Sequence, residues 1–177
     1  KSAHMVFYPY LTEQNDVFHV DMNLGNNGLL EVTPAQGIKL SKTVDIFETG
    51  TSDAFQFRIT IANADGTPYT GKLNSWTTAL DEVPLGAATE ISVPANGIYT
   101  LQLCRDQTFW LTGIPTGAVY AIEEISANED YKLKSVHVNG VVMGIIAAGT
   151  VAAHFIDEVD FVNTAMGEGD LVVTKRV

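Results

Sequence analysis

The chain has 177 residues, 46% hydrophobic and 18% charged, with 10 basic side chains against 21 acidic ones and a formal net charge of −11. Such an acidic balance argues against nucleic acid or an anionic membrane surface as a partner. No apolar run is long enough to span a bilayer and none reads as a signal peptide, so membrane insertion is not expected in this fragment.

Lys1-Ser-Ala-His-Met5 reads as a cloning scar, which would make the chain an excised fragment with any signal peptide or wall anchor outside it. Residues 6–36 read as an N-terminal β-hairpin segment, in which strands at 17–24 and 29–32 flank Gly25-Asn-Asn-Gly28, a strong hairpin signal. This segment is either an added hairpin on the domain that follows or the end of a preceding one. Further candidate strands lie at 38–47, 54–62, 69–73, 90–93, 98–103, 108–112, 118–125, 132–138, 149–156 and 158–163. Turn chemistry punctuates them at Asn63-Ala-Asp-Gly66, Pro94-Ala-Asn-Gly97 and Val138-Asn-Gly140. Short strands divided by turns, without an amphipathic helix, predict an all-β sandwich. The stretch 63–98 is the least regular.

Three of these strands each carry one polar group on an apolar face. Alternate side chains of a strand share a face, so Tyr120, Ile122 and Glu124 point one way while Val119, Ala121 and Glu123 point the other. Similarly, Lys42 joins Ile38, Leu40 and Val44 while Lys39 looks outward, and Asn163 joins Val159 and Phe161. If the apolar faces are the core, a lysine, a glutamate and an asparagine are buried from three separate strands. A buried carboxylate is costly unless it is paired or protonated.

These residues carry a resemblance. Leu40-Ser-Lys-Thr-Val44, Leu111-Thr-Gly-Ile-Pro-Thr-Gly117 followed by Tyr120-Ala-Ile-Glu-Glu124, Asp130-Tyr131 and Phe161-Val-Asn-Thr164 together span residues 38–164. In order and spacing they resemble the collagen-adhesin B-type and pilin-shaft domains of Gram-positive surface proteins. The resemblance implies an immunoglobulin-like β-sandwich over residues 37–166 with a spontaneous isopeptide bond, in which Lys42 is the nucleophile, Asn163 the electrophile and Glu124 the catalytic acid. It also implies an extracellular, cell-wall-anchored stalk or shaft whose partners are neighbouring domains of the same chain.

The chemistry stands on its own terms. A lysine attacks a carboxamide only as the neutral amine, and desolvation lowers a lysine pKa by up to roughly 3–5 units. A protonated Glu124 carboxyl could hydrogen-bond the Asn163 carbonyl, stabilise the developing oxyanion and pass a proton to departing ammonia. Folding holds amine and amide together, which corresponds to effective molarities of about 10⁵–10⁸ M. This is one turnover of a protein on itself, not an enzyme acting on a substrate. The plainer reading is an ordinary ion pair, with Lys42 snorkelling to the surface and Asn163 in a turn. Agreement of three residues in type, order and facing favours the cross-link.

Other features weigh less. Cys104, the single cysteine, cannot form an internal disulfide and has no histidine or elbow motif nearby, so it reads as a plain thiol. Asp157, Glu158 and Asp160 with Glu129 and Asp130 have no EF-hand spacing and read as an acidic solvated surface. His19, His137 and His154 lack ligand spacing, so no metal or other cofactor is expected. Trp76 and Trp110, with Tyr69 and Phe109, could line a sugar-binding platform, so the alternative function is a module binding a host glycan or host protein through the 63–98 region. Leu171-Val-Val-Thr-Lys-Arg-Val177 echoes residues 38–44. After the Gly167-Glu-Gly169 linker it would begin a following domain, with Lys175 as that domain's nucleophile.

Overall fold

Strict alternation decides the architecture, and residues 54–62 show it most simply. Phe55, Phe57, Ile59 and Ile61 are each fully buried, while Ala54 and Gln56 are exposed and Arg58 and Thr60 are partly so. One such strand has one wet face and one dry face, and a second sheet must cover the dry one. The computed structural model describes strand residues 18–19 and 33–34 and residues 36–45, 53–84, 87–126 and 130–165.

Thirteen strands are described: β1 (Phe18–His19), β2 (Thr33–Pro34), β3 (Gly37–Asp45), β4 (Ala54–Ala62), β5 (Lys72–Ala79), β6 (Thr89–Ser92), β7 (Ile98–Cys104), β8 (Gln107–Thr112), β9 (Val119–Ser126), β10 (Tyr131–Val138), β11 (Val141–Val142), β12 (Ile146–Thr150) and β13 (Ile156–Ala165). A seven-stranded sheet runs β11-β10-β13-β3-β8-β5-β6, and a four-stranded sheet runs β12-β9-β4-β7. The two form an immunoglobulin-like sandwich. Between them lies one core that includes Ile38, Leu40, Phe55, Phe57, Ile59, Leu111, Ile122, Val136, Val159 and Phe161. Every pairing is antiparallel except β13 with β3, which run side by side in parallel in the middle of the larger sheet. β1 and β2 add a separate two-residue antiparallel ladder, Phe18 opposite Pro34 and His19 opposite Thr33. The predicted Gly25–Gly28 turn, most of the strands on either side of it, the linker 167–169 and Lys175 lie outside the described residues.

Two predicted strands shift. The strand placed at 69–73 is β5, Lys72–Ala79. Its inward Ser75 and its Asn74, Thr77 and Thr78 give little hydrophobic contrast, so its alternation is hidden in composition. The stretch 63–98 is therefore more regular than its sequence, since it holds both β5 and β6. The strand placed at 149–156 is β12, Ile146–Thr150, after which the chain turns through His154 at φ 58° and enters β13 at Ile156. Small residues, Ala147, Ala148 and Gly149, make β12 a weak signal. At the β10–β11 hairpin the Asn-Gly pair does what its chemistry predicts: Asn139 and Gly140 both take positive φ, 50° and 76°, the requirement of a two-residue hairpin with the right twist.

Gly37 opens β3 at φ 153°, and a Cβ built there would sit 2.0 Å from the Leu111 carbonyl oxygen on β8. That oxygen is backbone and cannot swing aside. Gly37→Ala is expected to cost more than about 1 kcal/mol, read as a lower urea midpoint with an unchanged slope; an unchanged midpoint would show that the β3–β8 register relaxes freely.

Candidate functional site

Lys42, Glu124 and Asn163 meet between the two sheets. Lys42 comes from β3, Asn163 from the parallel neighbour β13, and Glu124 from β9 in the opposite sheet. In the parallel ladder Lys42 stands beside Phe161 and Asn163 beside Val44. The lysine and the asparagine are thus diagonal neighbours on one inward face. Lys42 and Asn163 are 0% exposed and the Glu124 side chain is 5% exposed.

The carboxylate bridges the other two. Asn163 Nδ2 donates to Glu124 Oε1 at 2.7 Å, and Lys42 Nζ lies 3.0 Å from Glu124 Oε2. Nζ and Oε2 are at ion-pair distance without hydrogen-bond alignment, and among the described residues no group hydrogen-bonds Asn163 Oδ1. Three polar groups thus share a dry site with hydrogen-bonding capacity left over, an arrangement that buried groups avoid unless something compensates it. Burial holds the Lys42 ammonium below the ordinary lysine range, to about 8, against the opposing pull of Glu124's charge and its nearby oxygen. Burial thus raises the share of neutral amine near neutral pH above that of an ordinary lysine.

The surroundings are aromatic and aliphatic. Leu40 and Phe161 are fully buried beside the site, and Phe161 meets Phe57 edge-on at 5.2 Å. Lys42 Nζ lies 4.2 Å from the centroid of the Phe55 ring. Lys42 is anchored through its backbone as well, since its carbonyl accepts from Asp106 N at 2.8 Å in the β7–β8 turn.

The structure therefore brings all three predicted site residues together, with the two adjacent glutamates facing as their alternation predicts. Glu123 faces outward and takes Arg58 Nε at 2.6 Å, which leaves Glu124 inward. Lys42 does pair with Glu124, but it does not snorkel, and Asn163 sits within β13, not in a turn. Lys39 looks outward as expected, meeting Glu158 at 3.1 Å with its Nζ 5.4 Å from the Trp110 ring.

Two weaker expectations are corrected. The β13 carboxylates are not one solvated surface: Asp157 is 7% exposed and accepts from Asn139 Nδ2 at 2.7 Å, while Glu158 points the other way. Nor do the aromatic residues form a platform, because Phe109 turns into the core and stacks on Tyr99 while its neighbour Trp110 turns outward beside Trp76. Trp110 is itself only 4% exposed and donates from Nε1 to Thr78 Oγ1. Cys104 is a free, half-buried thiol at the end of β7. Sequence reasoning missed Phe55 as a wall of the site, since a buried aromatic residue carries no signal of a special neighbour.

With this geometry in hand, comparison with known proteins places the domain. A family described as "Domain of unknown function (DUF7601)" matches residues 36–165. The chain belongs to that family. No curated protein matches it. Among solved structures it is similar to the major pilin of Streptococcus pyogenes, with a TM-score of 0.52 at 15% identity over 83% of this chain and 60% of that one. A second major pilin of that organism, T3.2, gives 0.54 at 17% identity over 78% of this chain and 50% of the other. The pilus-presented adhesin Cpa gives 0.51 at 21% identity over 72% of this chain and 26% of its own. Members of this pilin-like group thus share the fold, and this chain spans from about a quarter to three-fifths of their lengths.

The lowered lysine pKa makes a signed prediction. Unfolded chains hold the Lys42 proton up to about pH 10.5 and the folded domain only to about 8, so the unfolded state binds more protons across that window and Lys42's contribution to stability rises with pH through it. In chains unable to cross-link, the stability of Asn163→Ala minus that of Lys42→Met/Asn163→Ala should climb between pH 8 and 10.5. A flat difference would mean that Lys42 keeps an ordinary pKa.

Proposed function

We propose that this domain is a structural stalk or shaft unit of a cell-surface adhesin or pilus, stabilised by a self-formed amide between Lys42 Nζ and Asn163 Cγ. The observation that carries the reading is the dry contact of lysine, glutamate and asparagine from three strands and both sheets, with Nζ at 3.0 Å and Nδ2 at 2.7 Å from one carboxylate. The pilin-like fold supports the setting: an extracellular, wall-anchored chain whose partners are its own neighbouring domains.

The steps balance without a cofactor. Lys42 passes a proton to Glu124, which gives a neutral amine and a carboxylic acid. A half-turn of the Asn163 amide then brings Oδ1, otherwise unpartnered, onto the acid. The amine attacks Asn163 Cγ while Glu124 stabilises the oxygen, as donors do in acyl transfer. The acid then protonates the leaving nitrogen and, as a carboxylate, takes the surplus proton from the attacking nitrogen; the Cγ–Nδ2 bond breaks and the departing ammonia carries that proton away as ammonium. One lysine ammonium and one carboxamide become one secondary amide and one ammonium ion, with Glu124 returned to the carboxylate. Only one turnover is possible, so the domain is not an enzyme in the ordinary sense.

An amide here would join β3 to β13, already neighbours by hydrogen bonding, through covalent bonds. The test is the intact mass of the denatured chain beside Asn163→Ala and Glu124→Ala variants. Wild type should be lighter than its sequence by one ammonia and both variants should match theirs; a wild-type mass equal to the sequence value would leave an uncross-linked sandwich with a buried ion pair.

A further inference from the structure

The Lys42 amine has an aromatic floor whose placement goes beyond packing. Phe55 on β4 is fully buried, and the face of its ring lies 4.2 Å from Nζ. On the other side, Phe55 meets Tyr131 of β10 edge-on, with centroids 5.3 Å apart and planes at 69°. The Tyr131 hydroxyl in turn donates to Asp53, one residue before β4. β10 and β4 belong to different sheets, so this contact fastens the two sheets together beside the site and keeps the Phe55 ring in place.

The groups around Nζ leave the amine little choice. Glu124 is the charged group facing it from β9, and β13 supplies Phe161 and the Asn163 carboxamide. β10 supplies Tyr131, whose hydroxyl is turned to Asp53 beyond the Phe55 ring. Opposite Lys42 on β8, Gln107 Oε1 accepts a hydrogen bond from Cys104 N. A ring face attracts an ammonium but has no lone pair to hold its protons and no donor to occupy the free amine's lone pair. We infer that Phe55 is a positioning residue for the cross-linking reaction, keeping water from the Lys42 amine and leaving Glu124 as its proton acceptor and Asn163 as its target. This rests on the cross-link reading above.

The experiment follows ammonia loss by intact mass in chains assembled by chemical ligation in denaturant, which start unreacted, after refolding at a series of pH values. Phe55→Ala admits water, and a hydrated lysine stays charged to about pH 10.4, so the rate near pH 7 should fall about ten- to a hundredfold and recover towards pH 10. Phe55→Leu, which fills more of the space, should move the profile the same way by less, and it decides the matter if the alanine variant does not fold. A pH profile unchanged in shape in the folded variants, whatever the rate, overturns the role of Phe55 alone. Wild type that never loses ammonia overturns the cross-link, and Phe55's role with it.

Discussion

An ammonium, a carboxylate and a carboxamide stand in the middle of an apolar sandwich, and the arrangement of the strands serves to hold them there. Taking such charges out of water costs several kcal/mol per ion, and a buried pair repays that only with excellent geometry and saturated hydrogen bonding. Here the geometry is close but the hydrogen bonding is incomplete: Asn163 Oδ1 lacks a donor among the described residues, and Lys42 Nζ and Glu124 Oε2 meet off line. As a purely noncovalent device, this site is a poor way to stabilise a domain. As the reactant state of a condensation it is well arranged, because the product is a neutral amide and the charge on the lysine disappears.

The fold supplies what that reactant state requires. β3 and β13 are parallel neighbours in the centre of the seven-stranded sheet, and β9 crosses opposite them in the four-stranded one. A one-residue slip of any of the three would turn its polar group outward and bring Thr43, Glu123 or Val162 into the core. The register is held by full ladders on both sides of β3, nine residue pairs with β13 and six with β8. The aromatic pairs Phe57–Phe161 and Phe55–Tyr131 pack across the gap between the sheets. Covalent closure, on this account, completes a register that packing has already chosen.

Much of this was legible in the sequence, for a physical reason. A lone polar residue in an otherwise apolar alternating strand declares both its facing and its cost, so Lys42, Glu124 and Asn163 could be singled out. Of the two adjacent glutamates, the outer one is claimed by Arg58 on β4, opposite Glu123 in register. Where inward positions are small or polar the alternation fades, which is why β5, with Ser75 buried and Thr77 exposed on the same face, and β12, with Ala147 and Gly149, give weak strand signals. Asp157 was read as solvated because its partner, Asn139, lies in a hairpin turn that the topology alone brings to it. Phe55 looks like any other core phenylalanine until the fold sets it under the lysine.

The central claim is that β3 and β13 are joined by a bond stronger than any hydrogen-bond ladder, and pulling tests it directly. Held by its ends in a single-molecule force measurement, the chain should never release the segment between residues 42 and 163, even after every other contact has broken. Asn163→Ala should release it as one step. At about 3.3–3.6 Å per residue, those roughly 120 residues amount to some 400 Å of added contour length. Wild type that yields the same 400 Å step would contradict the covalent tie.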